Sequence, residues 1–157
     1  MYTAVFALLT PVLLLRLYFR ARKNRKYLER WPERFGFYRG DTPTTRTIWV
    51  HAVSVGASMA AIPLIRALNE KFNGVEILVT TTTPTGAETV DRLLGDVASH
   101  VYFPYDIPFA LNRFFERFRP AFLIILETEL WPNTIEFCVQ RAVPILLANA
   151  RLSEHSL

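Results

Sequence analysis

The run Thr47-Ile48-Trp49-Val50-His51-Ala52-Val53, followed by Ser54-Val55-Gly56-Ala57, decides the fold. A stretch that is largely apolar at both odd and even positions predicts a strand buried on its two faces. The turn after it opens onto a different rhythm. From Ser58 to Phe72 the apolar residues Met59, Ile62, Ile65, Ala67, Leu68 and Phe72 recur close to helical spacing, so residues 58–72 read as a helix lying on that strand.

The same alternation repeats downstream. Strands are predicted at residues 75–80, 100–103, 122–126 and 144–148, and helices at 85–94, 107–118 and 133–142. Strands without a polar face, separated by helices of about ten to fifteen residues, indicate a parallel sheet. The expected fold is α/β, a Rossmann-like parallel sheet of about five strands. Phe109, Phe114, Phe115 and Phe118 then read as a helix packing on its sheet, in preference to a lipid-facing patch.

Composition agrees with one folded domain. The chain has 157 residues, 51% hydrophobic and 20% charged, which excludes disorder and collagen. The single cysteine, Cys138, excludes an internal disulfide and a Cys-rich zinc site, and favours a reducing compartment. Charge is unevenly spread. Arg16 to Arg39 holds nine Lys/Arg against Glu29 and Glu33, a net +7, while the rest carries nine bases and twelve acids, a net −3. The globular part therefore offers no basic stripe, and nucleic acid is not an expected partner.

The basic segment follows an uncharged run. Residues 2–15 would form a helix of ~21 Å, or ~27 Å when Leu17, Tyr18 and Phe19 are included, against a bilayer core of ~30 Å. Positive charge after the apolar run is the reverse of a signal peptide. The favoured reading of residues 1–40 is a membrane anchor, with Leu13 and Leu14 in its apolar part and Arg16, Arg20, Arg22 and Lys23 at its basic end. The positive-inside rule keeps that end, and a globular domain over 46–157, in the cytoplasm; anionic lipid is the expected partner. The competing reading is a buried core helix with a solvated basic end.

Open α/β sheets bind ligands beyond the carboxyl ends of their strands, and that rim is chemically rich here. It collects Ser54-Val55-Gly56-Ala57, Thr81-Thr82-Thr83-Pro84-Thr85-Gly86, Pro104-Tyr105-Asp106, Glu127-Thr128-Glu129-Leu130-Trp131-Pro132-Asn133 and Asn149-Ala150-Arg151-Leu152-Ser153. Thr83 before Pro84 reads as a helix cap, and Thr85 with Glu88 as a capping box. The same exposed groups would also hold a phosphate. Gly56 allows either a tight turn or close approach of a ligand. Glu127 and Glu129 follow an apolar strand directly, where partial burial raises a carboxyl pKa unless hydrogen bonds offset it. His51 alternates into the sheet as a hydrogen-bonded core residue, and neither His100 nor His155 has a visible partner for a metal. No P-loop lysine, GxGxxG or nucleophile elbow is present, and no metal or cofactor is expected.

With these residues in view, the chain resembles the N-terminal half of the Kdo (3-deoxy-D-manno-octulosonic acid) transferases, which build the inner core of lipopolysaccharide. The matching stretches are Arg30-Trp31 through Arg34-Phe35-Gly36, His51 through Gly56, Ala61-Ile62-Pro63-Leu64, Thr82 through Gly86, Tyr105-Asp106, Glu127 through Asn133 and Asn149 through Ser153, in order along the chain. The resemblance implies a membrane-associated GT-B glycosyltransferase at the cytoplasmic face of the inner membrane. Such an enzyme transfers Kdo from CMP-Kdo to a lipid A precursor without a nucleotide-coordinating metal. Its N-terminal domain holds the acceptor and a C-terminal domain holds most of the donor.

Two departures stand out. The resemblance implies a glutamate general base where this chain has Ala57, and alanine accepts no proton. The chain also stops at Leu157, where the family begins its link to the donor domain, so an incomplete CMP pocket and an inactive chain are expected. By resemblance, charge and position, Glu127 and Glu129 would orient the acceptor or stabilise charge developing in the transition state. Ser54, Gly56 and Asn149 would bind substrate, and Thr83, Thr85 and Gly86 would meet an acceptor phosphate with help from Arg151. Two other classes compete: a non-catalytic membrane-bound module for anionic lipid, and a flavodoxin-like nucleotide binder.

Overall fold

The computed structural model describes residues 15, 19, 22, 24–72, 74–127 and 130–148. Five strands, β1 (Thr47–His51), β2 (Glu76–Thr81), β3 (Ser99–Tyr102), β4 (Pro120–Leu126) and β5 (Ile145–Ala148), form one sheet in the order β3-β2-β1-β4-β5. Every pairing is parallel. Four helices connect them in turn: α1 (Val55–Lys71), α2 (Pro84–Leu94), α3 (Pro108–Phe118) and α4 (Pro132–Gln140). The α/β fold and the five parallel strands are those the hydrophobic rhythm predicts.

Alternation within β1 divides the interior into two cores. Ile48, Val50 and Ala52 join Ile77, Val79, Ile124 and Leu126 beneath α1 and α2, which contribute Ala57, Ala61, Ile65, Val90 and Leu94. Trp49 turns the other way, joining Leu78, Leu123 and Ile125 beneath α3 and α4, with Leu111, Phe114, Phe115, Phe118 and Cys138. Covering both faces is what makes a parallel sheet stable. Burying side chains of this size stabilises by about 1.5–3 kcal/mol each. The helices change sides between β1 and β4, so the carboxyl ends of those two central strands flank the topological switch point.

Some element limits differ from expectation for local reasons. Helix α1 starts at Val55 instead of residue 58, because Ser54 is extended and its hydroxyl accepts the Ala57 N–H. Residues 54–57 are thus a cap and first turn, not a loop. In α3, Phe114, Phe115 and Phe118 are buried as predicted, whereas Phe109 in the first turn is exposed and packs on Phe37, ring centroids 6.0 Å apart.

The segment before β1 is tied to the sheet domain. Short 3₁₀ helices occupy Arg25–Leu28 and Trp31–Phe35. Gly36 ends the second with φ +81°; a Cβ there would come within 2.8 Å of the Ala110 carbonyl oxygen and of the Arg113 Cβ, so only glycine fits. Tyr38 then packs edge-on against Phe118 at 4.8 Å. Arg30 and Arg34, which the charge count places in a solvated basic segment, are bound into the domain. Among the described residues no helix is long and apolar enough to cross a membrane. Leu13, Leu14, Arg16, Arg20 and Lys23 of the expected anchor lie outside those residues; Arg22 is described and exposed.

Candidate functional site at the carboxyl edge of the sheet

The turn after β1 is built around Ser54. Its hydroxyl accepts from the Ala57 amide at 3.3 Å, and its carbonyl accepts from the Ser58 amide and hydroxyl at 2.9 and 2.8 Å. Gly56 is exposed: a Cβ built there would meet only Ser54 Oγ, at 3.7 Å, and its φ is not left-handed. Neither packing nor backbone geometry demands glycine at that position, and the first turn of α1 stays open. Ala57, in the third helical position, is fully buried in the core beneath α1.

The next loop is fastened to the first. Thr82 donates its amide and hydroxyl to the Val53 carbonyl at 3.3 and 3.0 Å. Thr83 is the cap of α2, its hydroxyl accepting from the Gly86 amide at 3.1 Å and its carbonyl from the Ala87 amide at 3.0 Å. Glycine at 86 has a packing cause, since a Cβ would lie 3.1 Å from Thr83 Oγ1 and 3.2 Å from Thr81 Cβ. The capping box expected between Thr85 and Glu88 does not form. The cap is Thr83, as the proline after it predicts, and Glu88 pairs with Lys26 at 2.6 Å on the surface. Thr85 remains exposed.

Asp106 joins the loops after β3 and β4. Fully buried, it accepts the Asn133 amide at Oδ2 (3.0 Å), and the Thr134 amide and hydroxyl at Oδ1 (2.8 and 2.7 Å). Its backbone carbonyl takes the Asn133 side-chain amide at 2.6 Å. Trp131, the residue just before α4, supplies no side-chain cap, so a carboxylate from a distant loop performs that task.

Glu127 stands at the end of β4, beside β1. Half-buried, it holds a left-handed backbone, φ +68°, and donates its amide to the Ala148 carbonyl at 3.0 Å. A non-glycine residue in that region is strained unless its surroundings impose it. Glu127 and the open turn of α1 therefore end the two strands that flank the switch point. Glu129, Asn149 and Arg151, the remaining predicted members, lie outside the described residues.

Both described histidines are buried in hydrogen-bonded positions. His51 Nδ1 lies 2.9 Å from Thr80 Oγ1, which also accepts the Trp49 indole N–H at 2.8 Å. Burial lowers the His51 pKa to about 3, and Nε2 has no hydrogen-bond partner. His100 bonds Thr81 Oγ1 through Nε2 at 3.0 Å, and its pKa is also about 3, from burial and the neighbouring Arg30 and Arg34 charges. Among the described residues no group of three or more His, Cys, Asp or Glu side chains is placed to hold a metal ion.

Two residues at this edge take roles that sequence reasoning does not assign. Asp106 is named in the sequence by its place on the rim and by the Tyr105-Asp106 match, but its latch is not legible, because its partners lie 27 and 28 residues away in the chain. Arg34 was counted as surface charge, yet it is buried, donating to the Thr82 carbonyl at 2.9 Å with its guanidinium 4.4 Å over the Tyr102 ring. Burial pushes its pKa below the ordinary arginine value. The usable signal was Glu33 three residues after Arg30, an acid inside a basic run: it bonds Arg30 Nε at 2.7 Å and the Tyr102 amide at 2.9 Å, docking the segment on β3.

Comparison with known proteins covers nearly the whole chain. The family model for 3-deoxy-D-manno-octulosonic-acid transferase (kdotransferase) matches residues 29–157. The 3-deoxy-D-manno-octulosonic acid transferase of Haemophilus influenzae is 40% identical over 156 residues, 99% of this chain and 36% of that protein. A probable mitochondrial 3-deoxy-D-manno-octulosonic acid transferase of Arabidopsis thaliana is 39% identical over 99% of this chain and 35% of its own length. The Bordetella pertussis transferase is 37% identical over 99% of this chain and 38% of its own length. The chain thus spans little more than a third of the length of the curated relatives it matches.

Proposed function

The chain belongs to the 3-deoxy-D-manno-octulosonic-acid transferase family, and on that premise we propose that it is the acceptor-binding, N-terminal part of a GT-B glycosyltransferase. The full enzyme would move Kdo from CMP-Kdo to a lipid A precursor, and the donor would be held by residues corresponding to the other two thirds of the relatives. The observation that carries the reading is the open first turn of α1, at Gly56, with Glu127 at the end of the adjoining central strand. An acceptor sugar at the switch point would lie beside both.

Chemistry at this site needs a base for the attacking hydroxyl. A glutamate at position 57 would stand in the third position of α1, where the helix dipole favours its ionised form. It would also complete a capping box with Ser54. Ala57 retains the fold and removes the base, a loss that costs typically ~10²–10⁴ in rate. Glu127, and Glu129 beyond it, would orient the acceptor, and residues 1–40 would hold the protein to anionic lipid at the cytoplasmic face of the inner membrane.

Ala57 also favours a second reading, a membrane-bound module that recognises anionic lipid without catalysis. One experiment separates the two. Residues 1–157 are joined to the remainder of the Haemophilus influenzae relative, and Kdo transfer to a phosphorylated lipid A precursor is measured with and without Ala57→Glu. The acceptor-domain reading expects a gain of at least about 100-fold from the glutamate. No gain, with equal affinity for dephosphorylated lipid A, would establish the binding module instead.

A further inference from the structure

We propose that Arg34 is the cation of an oxyanion-binding site between the loops that follow β2 and β3, and that the site takes a phosphate monoester. Arg34 is 6% exposed, and its guanidinium spends one donor on the Thr82 carbonyl while Nε is sealed with no hydrogen-bond partner. No carboxylate among the described residues pairs with it. Glu33, its neighbour in sequence, is engaged by Arg30 Nε and by the Tyr102 amide. A buried positive charge that no carboxylate hydrogen-bonds is costly; the Tyr102 ring and the field of Glu33 offset that cost only in part, and the charge is held at the edge where α/β folds bind ligands.

Its surroundings suit an anion. The Thr82 carbonyl that Arg34 grips lies one residue before Thr83, the cap of α2, so the guanidinium and the positive end of an 11-residue helix share one corner. Thr85, exposed in the first turn, holds its hydroxyl 3.4 Å from Oγ1 of Thr83, the cap residue. On the other side the Tyr105 amide donates to the Arg34 carbonyl at 2.7 Å, which locks the arginine backbone to the loop after β3. A guanidinium offers parallel N–H donors that match phosphate geometry. The segment Arg30 to Gly36 thereby gains a binding role that sequence resemblance does not assign to it.

The site rests on the acceptor-binding reading only for what carries the phosphate. The test titrates the 157-residue chain with inorganic phosphate and follows all the Arg34 guanidinium N–H resonances. A saturable shift is expected in the wild type, with affinity weakened at least tenfold in Arg34→Gln and less in Arg34→Lys, both checked for native circular dichroism. Guanidinium resonances that all stay unmoved at saturating phosphate, or a folded Arg34→Gln that binds as tightly as wild type, would overturn the proposal. Should Arg34→Gln fail to fold, the wild-type resonances alone decide.

A second arm separates the sources of phosphate. Vesicles carrying phosphatidic acid, a monoester, should compete with inorganic phosphate at least threefold better than vesicles of phosphatidylglycerol, a diester; equal competition would overturn the monoester assignment. Phosphate bound through Arg34 without any affinity for a phosphorylated lipid A precursor would support this site while overturning the acceptor-binding reading.

Discussion

Asp106 closes onto Thr134 through both of that residue's donors: Oδ1 accepts the Thr134 amide at 2.8 Å and its hydroxyl at 2.7 Å. The contact brings the loop after β3 against the start of α4, across the seat of β1 and β4 in the sheet order. A buried carboxylate thus does for α4 what Ser54 and Thr83 do locally for α1 and α2.

Removing that carboxylate should be expensive. Asp106→Ala leaves the Asn133 and Thr134 amides buried without acceptors, at about 1–3 kcal/mol each. A total loss of about 3 kcal/mol is expected in urea unfolding. Asp106→Asn keeps one acceptor oxygen and should lose about half as much; equal stability of Asp106→Ala and wild type would refute the capping role.

Stability should fall as the solution is acidified. His51 and His100 have folded-state pKa values of about 3, below the ordinary histidine value of about 6.5. Between those limits the unfolded chain binds more protons than the folded one, so stability rises with pH and is lost as pH falls from about 6.5 towards 3. Each histidine contributes at most about 1.4 kcal/mol per pH unit in that window. Urea unfolding at pH 7.5, 6 and 5 should show the slope, and His51→Gln should reduce it.

The two loop glycines should respond oppositely to alanine. Gly56→Ala enters open space in a helical turn and should stabilise by about 0.4–1 kcal/mol. Gly86→Ala forces a methyl to within 3.1–3.3 Å of Thr83 and Thr81 and should cost about 1–2 kcal/mol. Thermal unfolding reads both. If Gly56 keeps room for an acceptor, its alanine variant should bind lipid A precursor at least tenfold more weakly despite the higher Tm.

Cys138 should be silent in the native protein. Its thiol is fully buried and its pKa is pushed up to about 12, chiefly by that burial. Iodoacetamide at pH 8 should leave it unmodified over an hour and label it fully in urea, as mass spectrometry would record. Rapid labelling of folded protein would contradict the packing of α4 on the sheet.

Much of the architecture was legible in the chain because periodicity is a local property. Trp49 and Val50 are adjacent and face opposite cores, which an uninterrupted apolar strand between helical patterns already requires. Helix starts were legible in part. Thr83 before Pro84 marks the cap of α2, whereas the capping-box spacing of Thr85 and Glu88 misleads, because Lys26, 62 positions away, takes Glu88.

By itself the sequence determined the alternation of strands and helices, the family, and the alanine at position 57, since each depends on residue order alone. Only tertiary structure decided the order β3-β2-β1-β4-β5, the latch from Asp106 to Asn133 and Thr134, and the burial of Arg34 against Thr82 and Tyr102. These join residues tens of positions apart, and a charge becomes structural or functional only when the fold removes its water and chooses its neighbours.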